Sequence, residues 1–250
     1  MCKNTLRFSR FEVVASSGVE RVEIIRKLHS NLFGQYEGLL NKSLYIVLWL
    51  IVVCHVQATT RFVSPDGSHL APYTNWATAA TNIQRAIVVS LPGDSVLVTN
   101  GIYKAIPTLA IPSGISIASV NGPIVTTIDG MQSNICVSLL DSSAEISGFT
   151  ITRGFADFAD GAAVAGQNGG TVSNCIVVAN IASNGSGAVI LGPNGRIVNS
   201  TVYRNTVTNG GAGGIYCISD AYVINCTVYS NVSDANGGGI TLADHSKVIG

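Results

Sequence analysis

Residues 197–205 read IVNSTVYRN, and residues 223–231 repeat the pattern as VINCTVYSN. An earlier copy, VSNCIVVAN, occupies residues 172–180. The copies follow one another at a nearly constant spacing, and Gly148 and Gly154 extend two of their columns towards the N-terminus. A fixed period of this length is the sequence signature of a repeat protein, in which each repeat forms one stacked structural unit.

Within each repeat, apolar residues recur at short intervals and are separated by Gly, Asn and Ser. This pattern predicts short β-strands joined by tight turns. Stacking of such coils about 4.8 Å apart pairs each strand with its copy in the next coil, so that apolar columns become the core. The predicted apolar columns are Ile146, Val172, Ile197 and Val223; Ile151, Val177, Val202 and Val228; and a mostly apolar third, Gly166, Leu191, Cys217 and Leu242. We therefore expect an all-β fold, a parallel β-helix or solenoid.

One polar column runs beside the apolar ones. It contains Asn180, Asn205 and Asn231, with Gly154 at the equivalent earlier position. A side-chain amide carries both donors and an acceptor, so stacked copies can bond to one another and to turn backbone. These three residues predict a structural asparagine ladder, with ordinary turn asparagines as the alternative.

The segment before the repeats has a recognisable order. It reads TNIQRAI at residues 81–87 and LPGDSVLVTNGIY at residues 91–103. Here the chain resembles the right-handed parallel β-helix proteins of the pectate-lyase-like superfamily. The resemblance implies a right-handed solenoid whose N-terminal end is covered by a capping helix, which the apolar spacing places within Ala77–Ser90. It also implies polysaccharide lyase or glycoside hydrolase activity, with calcium as the cofactor of a lyase.

A second, weaker resemblance covers residues 170–245. The V-x-x-N and G-G-I patterns of Val202–Asn205 and Gly213–Ile215 are similar to the repeats of polymorphic outer-membrane adhesins, which have Phe where this chain has Val. This resemblance implies a cell-surface repeat protein that binds a partner.

The N-terminal part has a different composition. Residues 44–53 read LYIVLWLIVV, with Lys42 before them and Val56-Gln57-Ala58 after them. A basic residue, an apolar run and small residues at a cleavage site are typical of a secretory signal, and cleavage is predicted before Thr59. A signal-anchor with a transmembrane helix is the alternative. Either interpretation places the remaining chain outside the cytoplasm, secreted or at the cell surface.

The position of this signal is unusual, because its apolar run starts only at Leu44 and an ordinary signal peptide starts near the first residue. The organisation predicted is an N-terminal extension at 1–42, which a misassigned start would explain, and a signal peptide or signal-anchor at 43–58. A cap with the first strand follows at 59–103, and coils of 25–26 residues follow at 104–250. Because Gly250 falls one strand into a new coil, we expect a stack truncated at its C-terminus.

Charge argues against one class of partner. Residues 59–250 carry 7 basic and 10 acidic side chains, and the whole chain is formally neutral. A nucleic-acid-binding surface needs clustered Lys and Arg to neutralise phosphates. We therefore expect no nucleic-acid partner, and membrane contact only through residues 43–58.

The repeat register also points to candidate binding residues. Tyr203 and Tyr229 lie in adjacent coils next to inward valines, so both should point outward, and Arg204 lies beside them. This strip is a candidate site for polysaccharide or a cell-surface partner, with a stabilising aromatic pair as the alternative. Asp220 and His245 align across adjacent coils and are a second, weaker candidate pair.

The sequence contains no recognisable catalytic set. The acids fall in turns and do not form the carboxylate pair that a glycoside hydrolase requires. The register places Cys175 and Cys226 two coils apart, roughly 10 Å, which is too far for a disulfide. The sequence contains no C-x-x-C motif, so it does not predict a zinc site.

Three functions therefore remain open from the sequence. The chain is an exported β-helix protein for adhesion or polysaccharide binding, a polysaccharide lyase or glycoside hydrolase, or a structural passenger segment of a larger surface protein. Catalytic residues are not assigned under any of the three.

Overall fold

A computed structural model of the protein describes residues 57–158 and 160–250. They form a parallel β-solenoid of about six turns with almost no helix. This confirms the all-β parallel solenoid expected from the repeat.

The first elements in chain order are β1 (Thr60–Val63), α1 (Ile83–Val88), β2 (Ser95–Val98), β3 (Gly101–Lys104), β4 (Leu109–Ile111), β5 (Ser116–Ser119), β6 (Thr126–Asp129) and β7 (Val137–Leu139). The next are β8 (Glu145–Ser147), β9 (Thr150–Thr152), β10 (Phe155–Ala156), β11 (Gly161–Gly166), β12 (Thr171–Ser173), β13 (Ile176–Val178), β14 (Ile181–Ser183) and β15 (Gly187–Leu191). The last are β16 (Arg196–Val198), β17 (Thr201–Tyr203), β18 (Thr206–Thr208), β19 (Ile215–Cys217), β20 (Tyr222–Ile224), β21 (Thr227–Tyr229), β22 (Val232–Ser233), β23 (Ile240–Leu242) and β24 (Lys247–Ile249).

These strands form four sheets along the walls of the solenoid, named here in the order in which a regular coil, such as the one from β8 to β11, visits them. Sheet A is β1-β2-β5-β8-β12-β16-β20-β24, and sheet B is β3-β6-β9-β13-β17-β21. Sheet C is β10-β14-β18-β22, and sheet D is β4-β7-β11-β15-β19-β23. Neighbouring strands are parallel, and each pairs with its copy one coil later.

The register agrees with the columns predicted from the repeat. In sheet A, Val172 lies opposite both Ile146 and Ile197, and in sheet B, Val177 lies opposite both Ile151 and Val202. These residues are fully buried or nearly so, and they belong to one continuous core that runs along the solenoid. A smaller apolar cluster lies under sheet C and contains Ala156, Ala162, Ala182 and Val207.

The first coils depart from the later period. Ser95, Ser116 and Glu145 occupy successive positions in one column of sheet A, so the coil that ends at Ser116 is shorter than the later coils and the next one is longer. From Glu145 onward the same column advances at the regular spacing through Thr171 and Arg196. Alignment of the chain on itself consequently detects the coils only from this point.

Helix α1 is shorter than the predicted range Ala77–Ser90. It begins after Asn82, whose side-chain oxygen accepts from the backbone N–H of Arg85, as a helix N-cap does. Before it, Ala80 forms an isolated parallel bridge with Val63, and Ala77 and Thr78 lie in a turn, so the helix cannot include them. Ile83, Ala86 and Ile87 form the buried face of the helix.

Among residues 57–158 and 160–250, no helix has the length and apolar character needed to cross a membrane. The predicted extension at 1–42 and nearly all of the predicted signal or signal-anchor at 43–58 lie outside the described residues.

Candidate functional site

The asparagine column forms a continuous hydrogen-bonded ladder along the solenoid. Asn205 Oδ1 accepts from Asn180 Nδ2 at 2.9 Å and from its backbone N–H at 3.0 Å. Asn231 Oδ1 accepts from Asn205 in the same two ways, at 2.9 and 3.1 Å. The ladder ends on the backbone N–H of Gly154, which donates to Asn180 Oδ1 at 2.8 Å. Because Asn180 and Asn205 are buried, these bonds replace hydration that both amides have lost.

Each buried ladder amide also closes a turn at the end of a sheet B strand. Asn205 Nδ2 donates to the carbonyl of Tyr203, two residues earlier, and Asn180 bonds in the same way to Val178. The residue between, such as Arg204 with φ of 52°, takes the left-handed conformation, which costs a residue with a Cβ about 1–2 kcal/mol. The ladder bonds compensate for that cost. They fix the end of the strand at Tyr203 and the backbone position from which the Arg204 side chain extends.

Tyr203 and Tyr229 form an aromatic surface on the outside of sheet B. They are paired residues of β17 and β21, and their rings stack with centroids 5.0 Å apart and planes 1° from parallel. Val202 and Val228, which precede them in these strands, point inward, as the alternation along a strand requires. Tyr229 remains 48% exposed, so part of the stacked pair is open to solvent.

Arg204 adds a positive charge at the edge of this aromatic surface. Its Cζ lies 5.9 Å from the centroid of the Tyr203 ring, at the outer limit of a cation–π contact. Arg204 is exposed, and no acidic side chain among the described residues forms an ion pair with it. We call Tyr203, Arg204 and Tyr229 the tyrosine strip. Its exposed aromatic carbon can pack against an apolar ring surface, and its guanidinium can donate to hydroxyl or acidic oxygens.

The same outward column of sheet B contains a charged cluster nearer the N-terminus. The column consists of Lys104, Asp129, Thr152, Val178, Tyr203 and Tyr229. Asp129 is nearly buried and accepts two hydrogen bonds from the half-exposed guanidinium of Arg153, one of them from Nε at 2.9 Å. Its Oδ1 also accepts from the backbone N–H of Met131 at 2.9 Å.

Opposing effects act on the ionisation of Asp129. Burial raises the pKa of this carboxyl, but hydrogen bonds from Arg153 and Met131 and the charges of Arg153 and Lys104 lower it more. The net pKa is therefore below its ordinary value, and Asp129 stays ionised in the folded protein. An ionised carboxylate bonded to arginine serves as a positioning contact, whereas acid catalysis by a carboxyl requires a raised pKa.

This pair predicts a specific loss of stability in acid. A carboxyl whose pKa is lowered by folding contributes stability above its unfolded pKa of about 3.9, and the contribution is lost as the pH falls through the folded value. Asp129→Asn should therefore be less stable than the wild type near neutral pH, with the difference shrinking as the pH falls below about 3.9 and through the lower folded pKa. Urea unfolding across that pH range measures the difference. Arg153→Gln should show the same trend, and pH profiles parallel to the wild type would contradict this role.

The repeat alone did not reveal the Asp129–Arg153 pair. Asp129 lies in a coil outside the regular period, and its partner is one residue beyond the position opposite it, which is Thr152. A basic residue following an outward position, one coil after an acid, was the only signal available.

The second candidate pair is Asp220 and His245. Asp220 and His245 lie in register, because the following residues Tyr222 and Lys247 are paired in sheet A. Asp220 accepts from the hydroxyl of Ser219, and its backbone N–H donates to the carbonyl of Asp244. Both residues lie in the described part of the chain, and no ion pair joins them. The structure therefore brings their backbones together without forming a charged site.

Cys136, Cys175, Cys217 and Cys226 are free thiols. The first three are buried, and burial raises the pKa of Cys136 to about 12 and those of Cys175 and Cys217 to about 11. Nucleophilic and metal-binding cysteines react as thiolates. These three side chains are therefore neutral packing groups at physiological pH.

Within the described residues, no three His, Cys, Asp or Glu side chains are grouped closely enough to hold a metal ion. Comparison with protein-family models, with curated proteins and with solved structures gives no match for this chain. The parallel solenoid and its outward tyrosine strip therefore define this protein only as a β-solenoid repeat protein.

Proposed function

We propose that this protein is an exported β-helix protein, secreted or held at the cell surface, that binds polysaccharide through the tyrosine strip. The observation that supports this proposal is the stacked Tyr203–Tyr229 pair, with rings 1° from parallel and with Arg204 beside it, which no acid of the described chain neutralises. Exposed aromatic carbon can pack against the apolar face of a sugar ring, and guanidinium N–H groups match its oxygens.

The regular stacking favours a polymer as the ligand. The same coil spacing that separates Tyr203 from Tyr229 continues along the outward column to Val178, Thr152 and Asp129. A chain of sugar units that lies along the column would contact one outward side chain per coil, at intervals of about 4.8 Å. A compact ligand would use only the strip itself.

Two finer features of the fold belong to the same proposal. We propose that the solenoid is right-handed and has the pectate-lyase-like architecture. We assign α1 the role of covering the N-terminal end. Its buried residues Ile83, Ala86 and Ile87 belong to the main core, and the helix lies against β1, β2 and β4. An open solenoid end would expose unpaired strand edges and apolar core, so a cover there has a physical purpose.

The double variant Tyr203→Ala/Tyr229→Ala tests the binding surface. We expect it to bind polysaccharide at least about tenfold more weakly than the wild type, which corresponds to a loss of about 1.4 kcal/mol. Affinity electrophoresis in gels containing neutral, uronate or sulfated polysaccharides measures the change and identifies which class retards the wild type.

Tyr222→Ala is the matched control for that experiment. Tyr222 is also an outward tyrosine of the same coil as Tyr229, and it lies in sheet A with the guanidinium of Arg196 5.4 Å from its ring centroid. Its removal should leave binding unchanged. Equal retardation of wild type and double variant, with circular dichroism showing both folded, would refute the tyrosine strip as the binding surface.

An enzymatic function is the alternative, and the Asp129–Arg153–Lys104 cluster is the observation that favours it. This cluster places a carboxylate and two cationic side chains on the same outward side of sheet B as the strip. Release of unsaturated products from uronate polysaccharides, with or without added calcium, would identify a lyase. If Arg153→Gln abolished that release while remaining folded, the cluster would be the catalytic site and binding at the strip would be part of substrate recognition. A passenger role in a larger surface protein predicts neither binding nor turnover.

A further inference from the structure

The residue that precedes the first strand is anchored to a buried carboxylate. The backbone N–H of Thr59 donates to Asp94 Oδ1 at 2.7 Å. The other oxygen, Oδ2, accepts from Arg61 Nη2 at 3.2 Å and from the backbone N–H of Leu91 at 2.9 Å. Asp94 is only 2% exposed. This set of contacts joins the start of β1 to the turn that leads into β2.

Within the described part of the chain, Thr59 N is the only hydrogen-bond donor to Oδ1 of Asp94. A carboxylate oxygen carries two lone pairs, so this atom has capacity for a stronger donor. The carbonyl of Thr59 also accepts from the backbone N–H of Ser95, whereas Gln57 and Ala58 before it are exposed and belong to no strand. Thr59 is therefore the residue at which the contacts with β2 begin.

The sequence independently predicts a processing site at the same position. The apolar run at 44–53 and Val56-Gln57-Ala58 place cleavage between Ala58 and Thr59. Sequence pattern and structure thus mark the same peptide bond, one through residues before the bond and the other through contacts made after it.

We propose that an export endopeptidase hydrolyses the Ala58–Thr59 bond and that the new α-ammonium of Thr59 forms an ion pair with Asp94, an inference that rests on the proposed export of the protein. In this step one water molecule adds across the amide. Its hydroxyl goes to the carbonyl carbon, and Ala58 ends as a carboxylate. The remaining hydrogen of the water and the proton released by the new Ala58 carboxyl both go to the nitrogen of Thr59, which becomes an ammonium. No oxidant, reductant or metal enters the balance.

The exchange strengthens the existing contact without moving the chain. An amide offers one neutral donor, whereas an ammonium offers three donors and a full charge, and charge-assisted hydrogen bonds are roughly twice as strong as neutral ones. Arg61 already pairs with the other oxygen of Asp94, so two cations would flank one carboxylate. The partial exposure of Thr59 leaves the second positive charge in contact with water. Processing would therefore stabilise the N-terminal end of the solenoid.

The test begins with expression of residues 1–250 in a secreting bacterial host. Intact-mass measurement and N-terminal sequencing of the exported protein should give Thr59 as its first residue. An exported protein that retains residues 1–58, or that has a different first residue, would overturn the inference alone. Absence of the protein from the exported fraction would overturn the proposed export as well.

Acylation by an acid anhydride at neutral pH then probes the ion pair. Only a neutral amine reacts, so a carboxylate that holds the proton on Thr59 should slow acylation at least about tenfold, one pKa unit, relative to the same protein in urea. Asp94→Asn should remove most of this protection in the folded state, and Asp66→Asn, which changes an exposed acid, should keep it. If Asp94→Asn does not fold, the comparison of native and urea-unfolded wild type still decides. Equal rates in those two states would overturn the ion pair.

Discussion

Replacing Asn205 with alanine is expected to destabilise the solenoid by about 3 kcal/mol. The backbone N–H and the side-chain Nδ2 of Asn180 would lose their shared acceptor, and the carbonyls of Val177 and Tyr203 would lose a donor. Asn180 and Asn205 are both buried, so water cannot replace these bonds without a rearrangement. Each buried group left unpaired costs about 1–3 kcal/mol, which sets the size of the effect.

Thermal and urea unfolding measure this loss, and the melting temperature should fall by roughly 10 °C for a domain of this size. Asn100→Ala is the matched control. Asn100 also accepts a hydrogen bond from an asparagine of the next coil, Asn121, but both amides are exposed to water. That variant should unfold within about 0.5 kcal/mol of the wild type. Equal stability of the two variants would show that the ladder contributes nothing beyond ordinary turn asparagines.

The same variant has a consequence for the tyrosine strip. Asn205 fixes the carbonyl of Tyr203 and thereby the left-handed turn at Arg204. Loss of that bond should loosen the position of Arg204, even if the stack of coils remains folded. If Asn205→Ala remains folded but binds polysaccharide more weakly, the buried ladder positions the residues of the outer surface.

The period of the sequence carried most of the information about the later coils. In a parallel solenoid, equivalent residues of successive coils lie opposite each other, so a constant repeat spacing translates directly into strand register. That is why the apolar columns through Ile197 and Val202 were predictable, and why Tyr203 and Tyr229 could be placed together on the outside. The stacking of their rings follows from a pairing already implied by the repeat.

Other features lay beyond the sequence because their causes are local or irregular. The coils before Glu145 are unequal in length, so no fixed period connects Asp129 to Arg153. The helical spacing of Ala77–Ser90 overestimated α1, because Ala80 is taken by a bridge to Val63 and the helix begins only after the Asn82 cap. The Arg61–Asp94 pair joins two residues that are distant in sequence and share no column.

Gly154 should be the least replaceable residue of the ladder column, although it has no side chain to contribute. A Cβ at this position would lie 2.0 Å from the carbonyl oxygen of Ala162 and 2.9 Å from Oδ1 of Asn180. Both contacts are too short, and the first involves backbone, so it cannot be relieved by rotation of a side chain. The ladder thus begins at Asn180 because the carbonyl of Ala162 fills the space that an earlier asparagine would need.

We therefore expect Gly154→Ala to destabilise the protein by about 3 kcal/mol or more through overpacking and through displacement of the bond from Gly154 N–H to Asn180. Gly154→Asn, which completes the column by sequence, should be at least as harmful and should not lengthen the ladder. Gly237→Ala is the control, because a Cβ there meets no atom within 4 Å. Urea unfolding of the three variants decides the matter. If Gly154→Asn were stabilising, the backbone at Ala162 would have moved to admit a longer ladder, and the Ala162 carbonyl would not be what ends the ladder.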